Sequence, residues 1–70
     1  MREWLLNARK EKKLTQSEMA KKLDISEAYY SYIEAGIRQK NMDITLVSKL
    51  SSEFNIPIET IVELEKSVNQ

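Results

Sequence analysis

The sequence predicts an all-α domain of five short helices, and three observations carry that expectation. Glycine and proline occur once each in seventy residues, whereas β-hairpins rely on Gly, Asn and Asp in their tight turns. Apolar residues recur at intervals of three and four instead of alternating, as they do on helices with one buried face. Thr15, Ser26 and Asp43, residue types that start helices, each stand just ahead of such a periodic stretch.

The first helix is expected over residues 2–12. Leu5, Ala8 and Lys12 share one face, with Trp4 beside it, and the stretch closes on Arg9-Lys10-Glu11-Lys12-Lys13, where cations favour the negative end of the helix dipole. Thr15 lies three residues before Glu18, the capping-box spacing, and starts a second helix over about 16–23 with Met19, Ala20 and Leu23 inward. Asp24-Ile25 is read as a tight turn and Ser26 as the cap of a third helix with Tyr30 and Ile33 inward. Gly36 stops that helix, because glycine enters the left-handed region without strain.

A polar turn from Ile37 to Met42 leads to Asp43, the cap of a fourth helix whose face is Ile44, Val47, Leu50 or Ser51, and Phe54. Asn55-Ile56-Pro57 breaks the chain. Pro57 suits the first turn of a fifth helix, where a missing N–H costs nothing, and Ile58, Ile61 and Val62, with Val68 at the end, supply its face. No repeat, low-complexity stretch or linker interrupts the chain. Residues 1–70 are therefore expected to form a single domain, ordered over about 2–66 with a frayed tail.

Composition narrows the function. Cys and His are absent, which excludes a disulfide framework, a thiolate nucleophile, an imidazole base and an ordinary zinc site. With no convergent acid–base set either, neither an enzyme nor a cofactor or metal is expected. Apolar runs reach only two or three residues, against roughly 20 needed to span a bilayer, and the apolar stretch near the amino terminus is too short for a signal peptide. No membrane association is expected, and the expected compartment is the cytoplasm. Eleven basic and eleven acidic side chains cancel, a balance that as a sum argues against nucleic acid. By position, residues 1–40 carry +3 and residues 41–70 carry −3.

The positive part contains Leu14 to Gly36, LTQSEMAKKLDISEAYYSYIEAG. A short helix with a small central residue, a tight turn and a second helix with paired apolar positions is the pattern of a helix-turn-helix. The stretch resembles the phage-repressor and Cro type, the XRE family, at Leu14-Thr15-Gln16, Ala20, Ser26, Tyr30-Ser31, Ile33-Glu34 and Gly36. With the flanking helices the resemblance covers about residues 2–64. It implies a five-helix lambda-repressor-like DNA-binding domain with its helix-turn-helix at helices two and three. Ala20 is small where two helices must cross closely. Tyr30 is larger than the aliphatic residue usual at its place, and its hydroxyl needs water or a partner. Arg9 and Glu34 occupy the places of a family ion pair and are expected to join helix one to helix three, partly buried.

The resemblance also implies that helix three lies in the major groove. Glu27, Ala28 and Tyr32 then project at base-reading positions with Tyr29 at the edge, where a carboxylate can accept from cytosine and a methyl can meet thymine. Gln16, Ser17, Ser26, Arg38 and Lys40 are the implied phosphate contacts, with Lys10, Lys13, Lys21 and Lys22 peripheral; each single lysine serves equally as a solvated helix face. The chain departs from the family pattern in three ways. No Lys or Arg lies between Lys22 and Arg38; Lys13 and Asp24 stand where glycine is common; the turn from Ile37 to Met42 is longer than usual and lacks proline.

The function implied is a sequence-specific transcriptional regulator of prokaryotic or phage type, a repressor that occupies an inverted-repeat operator on double-stranded DNA. A homodimer is expected, with Trp4, Leu6, Leu64 and helix five as its face, and no small-molecule ligand. The alternative is a protein-interaction module of antitoxin or anti-regulator type with little DNA affinity, for which the tyrosines at 29 and 32 are the favouring feature.

Overall fold

Local signals and observed elements agree closely. The structure, a computed structural model, describes residues 1–36 and 43–68. The turn from Ile37 to Met42, with Arg38 and Lys40, lies outside the described residues, as does the side chain of Val68. The helices are α1 (Glu3–Glu11), α2 (Gln16–Leu23), α3 (Glu27–Ala35), α4 (Ile44–Phe54) and α5 (Ile58–Val68). Among the described residues there is no strand.

Each expected cap forms. Thr15 Oγ1 accepts from the Glu18 amide at 3.1 Å and Glu18 Oε1 from the Thr15 amide at 2.8 Å, a complete capping box. Ser26 Oγ accepts from Tyr29 N and Asp43 Oδ1 from Leu46 N. Each such cap is worth about 1 kcal/mol. At the other ends Asp24, Gly36 and Asn55 take left-handed backbone angles, and Lys13 does so after α1. Only Gly36 does this without side-chain strain.

The core joins all five helices through Leu5, Met19, Ala20, Leu23, Tyr30, Ile33, Leu46, Val47, Leu50 and Ile61. α2 packs most extensively on α3, α4 joins α5 and α2, and α1 meets α3. Ala20, 2 % exposed, sits in the α2 stripe with Met19 and Leu23 and lets the two helices of the motif approach.

Two helix faces differ from expectation. In α4 the buried stripe is Leu46, Val47 and Leu50, while Ile44 is 73 % exposed. Leu46 pulls the centre of the stripe round the helix, and at 100° per residue Ile44 falls beyond its rim. In α5, Ile58 and Val62 are exposed, and the inward positions are Ile61 and Glu65, one turn apart. A charged residue occupies this inward place because Arg2, itself fully buried, meets it there.

Candidate nucleic-acid interface

α2 ends at Asp24, whose left-handed angle (φ 60°) turns the chain so that Ser26 can start α3 directly. The turn is held by Ile25 N donating to Ala20 O at 3.0 Å. Lys49 Nζ of α4 donates to Leu23 O at 3.0 Å, placing a cation on the negative end of α2.

α3 has two distinct sides. Tyr30, Ile33 and Glu34 are buried, while Glu27, Ala28 and Tyr32 are exposed, Tyr32 by 41 %. Of the four base-reading candidates, these three lie together on the outward face. Tyr29 is half-buried and packs against the core, so its ring supports the helix as well as bordering that face.

The expected Arg9–Glu34 pair is present and bidentate. Arg9 Nε donates to Glu34 Oε2 at 2.9 Å and Nη2 to Oε1 at 3.1 Å, while Nη1 reaches Leu14 O at 2.9 Å. Burial alone pushes the Glu34 carboxyl up, but the donors around it, Arg9 foremost, outweigh this and hold it below its usual value. Tyr30 Oη is buried beside the pair and makes no hydrogen bond within ordinary limits. Burial first, and then the adjacent Glu34 carboxylate, push its pKa up.

Gln16 is the first residue of α2, and its Nε2 donates to Glu34 Oε1 at 3.0 Å. Ser17 is exposed beside it. The capping box occupies the Thr15 and Glu18 amides, whereas the helix itself offers no acceptor to the amides of Gln16 and Ser17. The Ser26 hydroxyl is engaged as the α3 cap. Lys10, Lys13, Lys21 and Lys22 are all exposed.

One support of α3 has no local signal in the sequence. Arg2 N donates to Glu34 O at 2.8 Å and Arg2 Nη1 to Ile33 O at 2.6 Å, so the first residues of the chain close the carboxyl end of α3. The same guanidinium meets Glu65 of α5, which also accepts from Trp4 Nε1 at 2.8 Å. The only sequence clue was an acidic residue one turn after Ile61 in an otherwise apolar stripe.

No helix among the described residues is long and apolar enough to cross a membrane, and none of their acidic side chains cluster as a metal site.

A helix-turn-helix family model matches residues 5–61, the stretch that contains α1 to α4 and the start of α5 almost entirely. The chain is also similar to an uncharacterized HTH-type transcriptional regulator of Bacillus subtilis (strain 168), YqaF. The two are 38 % identical over 63 residues, which cover 87 % of this chain and 83 % of that protein. No solved structure matches the chain significantly. Together with the paired α2 and α3, their intervening turn and the exposed outer face of α3, these matches give the chain its place: it belongs to the XRE-type helix-turn-helix family of DNA-binding transcriptional regulators.

Proposed function

We propose that the chain is a cytoplasmic, sequence-specific repressor that inserts α3 into the major groove and occupies an inverted-repeat operator as a homodimer. The observation that carries this reading is the two-sidedness of α3, with Glu27, Ala28 and Tyr32 outward while Tyr30, Ile33 and Glu34 lock its other side. A helix with its side chains is about 10–12 Å across, a fit for a groove about 12 Å wide. Gln16 and Ser17 at the start of α2, with Arg38 and Lys40 after α3, serve as the phosphate contacts. Ser26 contributes as the α3 cap, placed where the chain passes the backbone.

Size supports the dimer. The molecule measures 27 × 24 × 21 Å, less than the ~34 Å between equivalent points on successive turns of the groove. One copy reads one half-site, and a two-fold pair reads an inverted repeat. Met1, Trp4 and Leu64 border an open depression at the α1–α5 edge, and Ile58 and Val62 lie exposed on α5; these apolar groups supply the dimer face.

A second reading, docking on another protein with little DNA affinity, is favoured by one observation: α3 carries no cation and its first turn carries Glu27. Salt titration on a duplex enriched from a random-sequence pool separates the two. Binding through several phosphates weakens steeply as salt rises. Insensitivity to salt, or no duplex enriched at all, contradicts the DNA reading.

A further inference from the structure

The side-chain amide of Gln16 has a set orientation. Its Nε2 donates to Glu34 Oε1, and an ionised carboxylate can only accept, so the amide turns nitrogen and not oxygen inward. Glu34 is itself fixed, because Arg9 grips both of its oxygens and is anchored in turn to Leu14 O. The second N–H on Gln16 Nε2 is left at the half-exposed start of α2, and a phosphate oxygen, also an acceptor only, requires a donor there.

We infer that Glu34 is a positioning residue for DNA: by holding Gln16 Nε2 it presents the second amide N–H to a backbone phosphate, beside the main-chain amides of Gln16 and Ser17. Glu34 stands on α3 and Gln16 on α2. The bond therefore sets the phosphate contact in register with the helix that reads bases. This rests on the DNA-binding reading above and deepens it by giving the phosphate contact its orienting group.

A double-mutant cycle tests it, using a short duplex enriched from a random-sequence pool and the variants Gln16→Ala, Glu34→Asp and both together. Aspartate keeps the charge facing Arg9 but retracts the carboxylate from Gln16. Gln16→Ala alone weakens binding about tenfold, the loss of one hydrogen bond to a charged group. In the Glu34→Asp background it costs less than about twofold. The salt slope stays unchanged throughout, because the amide carries no charge.

An equal penalty in both backgrounds, or no penalty in the unmodified chain, overturns the proposal. Should Glu34→Asp fail to fold, the side-chain amide resonances of Gln16 in the unmodified chain decide. One proton shifting on addition of the duplex while its Glu34-bound partner stays fixed supports the role; two protons that average or both stay still overturn it. If the unmodified chain binds no duplex at low salt, the functional reading itself fails, a result distinct from binding with an uncoupled cycle.

Discussion

Arg2 Nε donates to both carboxylate oxygens of Glu65, at 3.0 and 2.9 Å, across 63 positions of sequence. The Arg2 side chain is fully buried and the Glu65 side chain is 11 % exposed. Trp4 Nε1 adds a second donor to the same carboxylate, and the far side of the guanidinium reaches Ile33 O at the end of α3. One buried cation thus holds α5, the start of α1 and the end of α3 together.

Breaking this pair strands a buried charge, which costs about 3–5 kcal/mol. That is a large fraction of the stability expected of a small domain. Arg2→Ala or Glu65→Ala should lower the melting temperature by roughly 15 °C or more, read by circular dichroism. Arg2→Met combined with Glu65→Leu should recover much of the loss, since a well-packed apolar pair replaces the ionic one. Equal loss in the double variant would contradict the stranded-charge explanation.

Acid should act through Glu34. Its folded-state carboxyl is held below its ordinary value, so its stabilisation is fully present above the unfolded value, near pH 4.5, and is lost as pH falls through the folded value. Chemical denaturation at a series of pH values should show stability declining below about pH 4.5. Glu34→Gln should be less stable at neutral pH and show a shallower decline. An unchanged slope in that variant would assign the acid sensitivity elsewhere.

Backbone strain gives a paired prediction. Gly36 sits at φ 77°, and a Cβ added there would lie 3.3 Å from the Met1 nitrogen; Gly36→Ala should cost about 1–2 kcal/mol. Lys13 carries a full side chain at φ 58°. Lys13→Gly relieves that strain and should raise stability by about 0.5–1 kcal/mol, glycine's greater freedom in the unfolded chain offsetting part of the gain. Urea midpoints measure both, and a loss on Lys13→Gly would refute the second.

These results separate what local sequence encodes from what it does not. Helix starts at Thr15, Ser26 and Asp43 and the stop at Gly36 were legible because a cap depends on residues three or four positions apart. The Arg9–Glu34 pair was legible only through the family resemblance, since 25 residues separate its members. Arg2–Glu65 had no such guide, and nothing local distinguishes a buried arginine from a solvated one. Periodicity alone places Ile44, Ile58 and Val62 inward. Their exposure reflects how α4 and α5 rotate to bury Leu46 and Glu65, a choice made by tertiary contacts. In the interface, Glu27, Ala28 and Tyr32 were legible as an outward set, whereas the orientation of Gln16 by Glu34 needed coordinates.

Base reading by α3 is tested most directly by selecting bound duplexes from a random pool with the unmodified chain and with Tyr32→Ala and Glu27→Ala. An inverted-repeat sequence is expected for the unmodified chain and a changed preference, at one position per half-site, for each variant, each base contact being worth about 1–3 kcal/mol of discrimination. Gln16→Ala and Arg38→Ala should instead weaken all duplexes alike with the preferred sequence retained. Identical preferred sequences from the unmodified chain, Tyr32→Ala and Glu27→Ala would contradict it.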